Sequence, residues 1–510
     1  MKFVMLIVYF SVLIAVGIYC RRHATSVHGF VLGGRNVGPW FSAFSFGTSY
    51  FSAVIFVGYA GQFGWKYGIA ATWIGLGNAI IGALLAWAVL GRRTRVITQH
   101  FGAATMPQFF SARFESRSLK IGASVIIFVF LIPYTASLYN GLSRLFGMAF
   151  HIDYIACILI MSCLTAIYVT LGGYMATAIN DFIQGLVMLV SIFAIVAAVL
   201  KTHGGFMAAL ASLSAVSDPT VSAMPGIFTS FFGPAPLSLL FVILLTSFGT
   251  WGLPQMVQKF YAIESEHSIQ KGLVISTIFA LVIAGGCYFL GGFGRLYSGQ
   301  VDVAQNGFDS IVPTMIGTLS PFLIALAVIL VLSASMTTLA SLVLTSSSTI
   351  VVDFLKQTLT KNLEDKGQLM LIRVFVVVFI AISAIIATIQ YKSQVTFIAQ
   401  LMGISWGALA GSFLAPFLYG LYWKKVTKAA CWVSFFTGSG MMVLNLLFRS
   451  SFPTLIQSPI NTGVCVMLLN LILVPIVSSF TRKPNQAMVD EAFACYNINT
   501  QVPQKTALGQ

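Results

Sequence analysis

Long apolar stretches alternate with short polar loops along almost the whole chain. An α-helix needs about 20 apolar residues to cross a bilayer, and thirteen stretches reach or approach that length. Numbered as spans 1 to 13, they cover residues 3–20, 38–63, 69–91, 121–148, 153–174, 176–200, 236–258, 271–294, 319–349, 369–390, 395–421, 428–448 and 459–480. The pattern predicts an all-α integral membrane protein with about 13 transmembrane helices. Span 1 runs directly into Arg21 and Arg22 without a small-residue cleavage site, which favours a retained helix over a signal peptide.

Two of the spans contain the same four residues. Span 2 holds Ser45-Phe46-Gly47-Thr48, and span 7 holds Ser247-Phe248-Gly249-Thr250, followed by Trp251-Gly252-Leu253-Pro254. A helix can unwind at such residues, and the freed backbone groups are tolerated in a membrane only where they line a protein cavity. Matching interruptions in two halves of a membrane chain are typical of a transporter's binding site. Spans 2 and 7 are five apart and cross in opposite senses, which predicts a 5+5 inverted repeat of spans 2–6 and 7–11.

The composition agrees with a membrane protein and explains the charge. The chain is 58% hydrophobic and 8% charged, against roughly 25% charged in soluble domains. With the N-terminus outside, seven Lys and Arg face outward (Lys2, Lys66, Arg144, Lys201, Arg295, Lys392 and Arg449), which leaves 21 of the 28 on the cytoplasmic side. This bias follows the positive-inside rule. The net charge of +15 therefore indicates topology and some attraction to anionic lipid, and no nucleic-acid partner.

The same pattern predicts the organisation and the location of the chain. We expect a multi-pass protein of the cell membrane, a bacterial inner membrane, with the C-terminus cytoplasmic, and we expect a monomer. The seven cysteines are scattered and imply neither disulfides nor a metal site. The predicted units are 1–37 (first helix and inner loop), 38–201 (first repeat), 202–235 (outer loop), 236–423 (second repeat), 424–481 (two peripheral helices) and 482–510 (cytoplasmic polar tail).

One carboxylate falls inside the predicted spans. Asp181 lies near the start of span 6, and an ionisable residue within a membrane is a candidate functional group. Asn180 or Asp181 could equally cap the N-terminus of that span, and both roles stay open. All six histidines lie in loops, so proton coupling is disfavoured. No Lys or Arg is expected deep in the spans.

A dense run of hydroxyl residues marks span 9. On a helix, Ala334, Thr337, Thr338 and Ser341 share one face by their i, i+3, i+4, i+7 spacing. Small-residue helix packing explains any single hydroxyl. The whole face, set beside a helix unwound near Thr48, favours an ion site instead. Backbone carbonyls of the unwound segment and the span 9 hydroxyls would form a neutral all-oxygen cage, which suits sodium.

Aromatic and proline residues near the interruptions are candidates for a solute pocket. Tyr50 and Phe51 lie at the first interruption, and Trp251 with Pro254 lies at the second. Tyr134 follows a proline inside span 4, and Trp406 lies in a small-residue segment of span 11. Each of these residues alone is also explained by helix packing.

Together these motifs resemble the sodium:solute symporter family from about residue 28 to 425. The stretches that carry the resemblance are Gly33-Gly34-Arg35-Asn36-Val37-Gly38-Pro39-Trp40, Gly172-Gly173-Tyr174 with Asp181 and Gln184, Ala334-Ser335-Met336-Thr337-Thr338, Gly411 to Pro416, and Gly420-Leu421-Tyr422-Trp423. The resemblance implies the LeuT-type fold and alternating access. It also implies a principal sodium (Na+) site with Thr48, Phe51, Ala334, Thr337 and Thr338 as ligands, and it matches Asp181 to an acidic residue near the inner sodium route.

The solute implied by the resemblance is a small polar organic molecule. The chain looks closest to the pantothenate and proline branches, and we predict Tyr50, Tyr134, Thr246, Thr250, Trp251 and Trp406 as solute-binding residues. The proline permeases carry an acidic residue at the position of Tyr50 and aromatics at those of Thr246 and Thr250. The sequence therefore favours a pantothenate-like or other carboxylate or amino-acid solute, with a proline:sodium symporter as the alternative.

Three other kinds of protein are alternatives to a sodium symporter. A proton-coupled carrier of the same fold would not need sodium at fixed pH. A channel or sensor would never move solute beyond its electrochemical equilibrium. An enzyme is disfavoured, because the spans contain no nucleophile–base pair and no cluster of metal ligands.

Overall fold

The computed structural model describes residues 2–21, 25–150, 152–222, 224–303, 307–358, 364–393 and 398–497. Within these ranges the chain is almost entirely helical, and the β-structure amounts to two isolated bridges. Nine described helices are long and apolar enough to cross a membrane, or ten if one bent pair counts as a single span. They are Val54–His100, Arg117–Phe150, Tyr154–Thr202, Glu266–Gly292, Pro321–Leu355, Asp365–Tyr391, Ile398–Tyr422, Lys428–Leu447 and Pro459–Phe480, and the bent pair is Pro236–Gly252 with Pro254–Ala262.

Two of these long helices join predicted spans: Val54–His100 joins the second half of span 2 to span 3, and Tyr154–Thr202 joins spans 5 and 6. Val54–His100 passes through Gly68, and Tyr154–Thr202 passes through Gly173, both with positive φ. A side chain at Gly173 would place its Cβ 2.8 Å from the Phe30 ring, and one at Gly68 would lie 2.0 Å from the Phe228 carbonyl oxygen. Only glycine combines this backbone with such close approach. The number of crossings, about thirteen, stays a prediction, as do the inverted repeat and the boundaries of the units.

Shorter helices complete the described part. Predicted span 1 corresponds to helix Lys2–Cys20, and short helices lie at Val27–Leu32, Met106–Phe114, Phe206–Ser214, Ile311–Gly317 and Gln486–Ala494. The last of these lies in the predicted tail 482–510, of which residues 498–510 fall outside the described ranges.

The first broken helix is the element predicted from span 2. Its first half, Pro39–Tyr50, ends at Phe51, whose φ of −101° and ψ of 102° are extended. The amide of Phe51 still donates to the Gly47 carbonyl, 3.0 Å away. The chain then resumes as a π-helix over Val54–Tyr59 and an α-helix over Ala60–Tyr67. The predicted interruption of span 2 is confirmed.

The second broken helix is the element predicted from span 7. Pro236–Gly252 and Pro254–Ala262 meet at an angle of 47°. Leu253 between them is extended, with φ of −84° and ψ of 120°. Proline fits here because the first residue of a helix needs no backbone N–H. The predicted interruption of span 7 is also confirmed.

The two broken helices are tied together at one end. The Val37 amide donates to the Ala262 carbonyl at 3.3 Å, and the Glu264 amide donates to the Val37 carbonyl at 3.1 Å. The Arg35 guanidinium, 8% exposed, donates to the Tyr261 carbonyl at 3.0 Å. The start of the first broken helix thus contacts the end of the second, as expected if they run in opposite directions.

Burial shows where the centre of the bundle lies. We name Pro321–Thr349, which continues as the π-helix Ile350–Leu355, the hydroxyl-rich helix. In its most apolar 18-residue segment 78% of the residues are buried, and the value is 94% for Ile398–Tyr422. Lys428–Leu447 and Pro459–Phe480 reach 39% each. The first two helices therefore form the interior, where the broken helices meet them.

Candidate functional site

The break in the first broken helix lies against the hydroxyl-rich helix. The hydroxyls of Thr337 and Thr338 both donate to the Thr48 carbonyl oxygen, at 3.0 and 3.1 Å. Both hydroxyls also donate to the Ala334 carbonyl of their own helix, at 3.1 and 3.0 Å. All three threonine side chains are at most 1% exposed. The structure therefore brings together four of the five predicted sodium ligands.

This cluster is built from neutral oxygen atoms. A hydroxyl has lone pairs as well as a proton, so Thr337 and Thr338 can rotate to present oxygen to a cation together with the two carbonyls. Phe51, the fifth predicted ligand, lies three residues beyond Thr48 in the break. Among the described residues no group of three or more His, Cys, Asp or Glu could hold a metal ion. A neutral oxygen cluster of this kind is chemically suited to a small alkali cation.

Four aromatic rings form a cluster beside the same break. Tyr50 stacks on Phe51 with ring centroids 4.3 Å apart, and it lies 6.0 Å from Trp406. Tyr134 meets the Trp406 ring edge-on at 5.9 Å. All four side chains are at most 1% exposed. Three of the predicted solute-binding residues, Tyr50, Tyr134 and Trp406, are therefore neighbours in the fold.

Some polar groups in this aromatic cluster lack a hydrogen-bond partner. The hydroxyls of Tyr134 and Ser52 and the indole N–H of Trp406 lie next to one another, yet none makes a hydrogen bond of standard geometry. Leaving a buried polar group unsatisfied costs about 1–3 kcal/mol. These three groups therefore have hydrogen-bonding capacity to offer a polar molecule among the rings.

The threonines of the second broken helix border this cluster. The Tyr50 hydroxyl donates to the Thr246 carbonyl oxygen. The Thr250 hydroxyl donates to the Ser247 carbonyl at 2.8 Å and to the Gly82 carbonyl at 3.4 Å. A Cβ at Gly82 would lie 2.3 Å from the Tyr50 hydroxyl oxygen. The Thr246 carbonyl therefore positions Tyr50 directly, and the Thr250 hydroxyl contacts Gly82, the residue that packs against the Tyr50 hydroxyl.

Trp251 has different neighbours from the other predicted solute-binding residues. Its indole N–H donates to the Ile81 carbonyl at 3.0 Å, and its ring packs on Phe248 at 4.8 Å. These contacts anchor the second break to the neighbouring segment Asn78–Leu85. Trp251 therefore lies at the second break. Among the described aromatic pairs its ring contacts Phe248, and neither Tyr50 nor Trp406.

A buried lysine contradicts the expectation that no Lys or Arg lies deep in the spans. Lys259, in the second half of the second broken helix, is 1% exposed. Its ammonium donates to the hydroxyls of Ser45 and Ser341, at 2.8 and 3.0 Å. Predicted span 7 ends at residue 258, one position earlier. The long lysine stem carries the charge from that boundary into the bundle, which a one-dimensional hydropathy pattern does not show.

Asp181 lies in this same group and does not cap a helix. It follows Gly173 by eight residues inside helix Tyr154–Thr202, so its N-terminal capping role is wrong. Its carboxylate accepts a hydrogen bond from the Ser45 hydroxyl at 2.5 Å and is 1% exposed. The sequence around Asp181 resembles a helix N-cap because Asn180 and Asp181 are adjacent there. In the structure the helix begins well before these two residues.

A second buried carboxylate was missed by the sequence analysis. Asp353 is 0% exposed and lies in the π-helix that continues the hydroxyl-rich helix. It accepts hydrogen bonds from Thr105 at 2.5 Å and Gln108 at 3.0 Å, and it pairs with Lys120 at 3.4 Å. Predicted span 9 ends four residues earlier, at 349, so Asp353 was placed in a loop. The apolar run Ile350-Val351-Val352 directly before Asp353 is the signal that the helix continues by one more turn.

The loop that precedes the second broken helix carries an ion pair. The Arg295 guanidinium donates to the Asp218 carboxylate at 2.8 Å and to the Trp65 carbonyl at 2.6 Å. Hydrogen bonds from the Thr220 hydroxyl and then from Arg295 hold the pKa of Asp218 below its ordinary value. The pair fastens this loop to the end of the first broken helix.

Comparison with known proteins gives a consistent result. Residues 30–438 match the family model described as the sodium:solute symporter family. The osmoregulated proline transporter OpuE of Bacillus subtilis (strain 168) is 26% identical over 485 residues, which cover 94% of this chain and 95% of that protein. The sodium/proline symporter of Staphylococcus aureus (strain JH9) is 27% identical over 492 residues, which cover 94% and 93%.

Solved structures agree on the fold. A substrate-bound, outward-open Na+-coupled sialic acid symporter superposes with a TM-score of 0.73 at 17% identity, over 95% of this chain and 99% of that chain. The helical architecture is therefore the LeuT-type fold expected from the sequence, and the protein is a multi-pass membrane protein.

Proposed function

Because the chain belongs to the sodium:solute symporter family, we propose that it is a sodium-coupled symporter that imports proline or a closely similar amino acid by alternating access. The family makes it a transporter and not an enzyme. The observation that best supports sodium coupling is the pair of hydroxyls, Thr337 and Thr338, on the Thr48 carbonyl at the break.

Sodium would bind where those hydroxyls now meet the carbonyl. The ion would replace two hydrogen bonds with oxygen–cation contacts from Thr48, Ala334, Thr337 and Thr338. Phe51 completes the proposed ligand set through the unwound backbone. Because Tyr50 and Phe51 directly follow Thr48, fixing the break also fixes the aromatic cluster. Sodium binding would in this way favour capture of the solute.

The relatives support proline better than the pantothenate-like solute that the sequence favoured. Two of them are named as proline transporters and match over more than nine-tenths of both chains. The chemistry of the aromatic cluster agrees with a small amino acid. The ammonium of proline can lie against the faces of Tyr50 and Trp406 by a cation–π interaction. The Tyr134 and Ser52 hydroxyls and the Trp406 N–H can donate to its carboxylate.

The tyrosine at position 50 fits this proposal without an acidic residue. A cation held by aromatic faces needs no opposing carboxylate, and Tyr50 is fixed by its contact with the Thr246 carbonyl. The N-termini of the second halves of both broken helices offer a further positive potential to the solute carboxylate. We therefore take Tyr50, Tyr134 and Trp406 as direct contacts and Thr246, Thr250 and Trp251 as residues that position them.

The driving force is sufficient for concentrative uptake. One charge that crosses 100 mV releases about 2.3 kcal/mol, and a tenfold sodium gradient adds about 1.4 kcal/mol. Together, about 3.7 kcal/mol sustains roughly 500-fold accumulation at one sodium per solute. The proposed orientation has the N-terminus outside and the C-terminus in the cytoplasm of a bacterial cell, with a monomer as the working unit.

Flux measurements on the purified protein test the proposal. The full chain is reconstituted in liposomes loaded with potassium, and labelled proline uptake is followed under an inward sodium gradient, a proton gradient, or neither. We expect accumulation above equilibrium with sodium alone, competed by unlabelled proline and not by pantothenate. Competition by pantothenate alone would restore the solute that the sequence favoured.

Two further outcomes would overturn sodium coupling itself. Accumulation driven by a proton gradient without sodium would support the proton-coupled alternative, for which the buried pair Asp181 and Lys259 is the relevant observation. Flux that never exceeds equilibrium would indicate a channel. A liposome without protein serves as the control for leakage in both cases.

A further inference from the structure

A cavity of about 330 Å³ lies at the perimeter of the bundle, apart from the aromatic cluster. It is bounded by helices Tyr154–Thr202 and Glu266–Gly292 and by Thr72 of helix Val54–His100. Its side walls are apolar and include Phe193, Val196, Leu281 and Phe289. Cavities that bind small ligands measure about 300–1,000 Å³, so this one can hold part of an apolar molecule. We name it the perimeter groove.

Glycine residues account for the space inside the perimeter groove. A Cβ at Gly75 would lie 2.7 Å from the Gly285 Cα, so the two helices touch through their backbones on that side. A Cβ at Gly286 would lie 2.7 Å from the Ile192 side chain. A Cβ at Gly285 would meet nothing within 4 Å, although Gly285 lines the groove. The groove is therefore the volume that a side chain at Gly285 would fill.

The perimeter groove opens on a surface that faces the bilayer. Phe193 is 64% exposed and Leu281 is 46% exposed, and both belong to its walls. In the most apolar segments of the two helices that carry them, 39% and 44% of the residues are buried, so much of each helix faces away from the protein. Lipid tails are the apolar medium that contacts such a surface in a membrane.

The depth of the groove favours an acyl chain over a headgroup. Gly285 precedes Gly292, where its helix ends, by seven residues. At a rise of 1.5 Å per residue this is about 10 Å, within a hydrocarbon core about 30 Å thick. Water and charged headgroups are scarce at that depth. An empty groove would leave its lining without van der Waals partners on one side, and an acyl chain supplies them.

Thr72 adds one hydrogen-bonding group to the lining. Its hydroxyl oxygen is buried and has no hydrogen-bond partner among the described residues. Predicted span 3 begins at residue 69, so Thr72 lies close to the membrane boundary. A lipid carries its ester carbonyls near that boundary, and a hydroxyl can donate to them.

We propose that the perimeter groove is a binding site for one acyl chain of a membrane phospholipid, inserted beside Gly285 between helices Tyr154–Thr202 and Glu266–Gly292. This site is independent of the transported solute and of the coupling ion. A chain bound here differs from the surrounding lipid because it stays with the protein in detergent. The competing occupants are a side chain from a second copy of the protein and lipid without any preference for this surface.

Photolabelling of the purified protein tests the proposal. The full chain in detergent is incubated with a phosphatidylcholine that carries a diazirine in one acyl chain, and labelled residues are located by mass spectrometry after irradiation. We expect the label to concentrate on residues 192–196 and 281–289. Unlabelled phosphatidylcholine in excess should remove this signal. Glycerophosphocholine, which has the same headgroup and no acyl chains, should not.

Filling the groove from within the protein provides the decisive variant. In G285L the new side chain enters the groove without displacing a neighbour, because a Cβ there meets nothing within 4 Å. Gly440→Leu is the matched control, since a Cβ at Gly440 also meets nothing within 4 Å and this residue lies in helix Lys428–Leu447. We expect G285L to lose the label on both segments and G440L to retain it. Added phosphatidylcholine should also raise the melting temperature of wild type and G440L more than that of G285L, because a ligand stabilises the fold that binds it.

Three results would overturn the inference. Equal labelling of G285L and wild type would show that the chain does not occupy the groove. Label spread evenly over the lipid-facing helices, including Lys428–Leu447, would indicate lipid without preference. A dimer in native mass spectrometry that excludes the label from 281–289 would assign the groove to a second copy. Gly285→Met replaces G285L if that variant is not recovered, and the distribution of label on the wild-type protein decides the question if neither is.

Discussion

Replacing Thr338 by alanine tests the sodium site most directly. The Thr338 hydroxyl lies 3.1 Å from the Thr48 carbonyl and 3.0 Å from the Ala334 carbonyl, and it is fully buried. T338A removes one of five proposed ligands and leaves the other four in place. The variant should need more sodium for half-maximal uptake, while its maximal rate at saturating sodium stays close to that of wild type.

The size of the effect follows from the strength of one contact to an ion. A hydrogen-bond partner of a charged group contributes about 1.5–3 kcal/mol, and each 1.4 kcal/mol is a factor of ten in affinity. Water or a shifted neighbour will recover part of this loss in the space left by the side chain. We therefore expect the half-saturating sodium concentration to rise about tenfold.

The assay is the initial rate of proline uptake into liposomes as sodium is varied at constant ionic strength. Thr388→Ala is the matched control, because the Thr388 hydroxyl only bonds back to the Ala384 carbonyl of its own helix, at 2.9 Å. Amounts of inserted protein are compared by immunoblot for all three proteins. An unchanged sodium dependence in T338A would remove this hydroxyl from the site and refute the proposed ligand set.

Three other perturbations address separate parts of the molecule. Asp181→Asn should lower the maximal rate more than it raises the KM for proline, because Asp181 contacts Ser45 of the first broken helix and not the aromatic cluster; an unchanged rate in uptake assays would contradict this. Tyr134→Phe removes a proposed donor to the solute and should raise the KM for proline severalfold at unchanged sodium dependence, and an unaltered KM would exclude the contact. The Thr220 and Arg295 hydrogen bonds lower the pKa of Asp218, so their stabilising effect is present at neutral pH and is lost as the pH falls below about 4 toward the lowered folded-state pKa. The difference in melting temperature between wild type and Asp218→Asn in detergent should accordingly shrink from pH 7 to pH 3, and a constant difference would argue against the ion pair.

Local chemistry explains why the two breaks could be predicted from the sequence. Gly, Ser, Thr and Pro within an apolar stretch weaken a helix wherever the stretch is placed in the fold. Helical periodicity likewise predicts that Thr337 and Thr338 share one face of their helix. In the structure the hydroxyls on that face donate to the Thr48 carbonyl. These predictions depend on short-range geometry, which a sequence records directly.

Long-range contacts account for what was missed. Lys259 and Asp353 lie one and four residues beyond the predicted ends of their spans, and only the tertiary fold shows that both are buried. The role of Asp181 depends on Ser45, which is distant in sequence. A hydropathy pattern assigns such residues to membrane boundaries, because it contains no information on which neighbouring helix contacts a charged side chain.

The separation of charge from the proposed sodium ligands has a physical consequence for the proposed transport cycle. A carboxylate in the cage would bind sodium tightly in a low-dielectric interior, and release on the inner side would then be slow. In this structure the Ser45 hydroxyl links the nearby Asp181 carboxylate to the Lys259 ammonium, which places an opposite charge close to it. The oxygen cage one turn away therefore consists of dipoles beside a pair of opposite charges. In the proposed mechanism the sodium affinity depends on the geometry of Thr48, Thr337 and Thr338, so we expect a change in the break itself to release the ion.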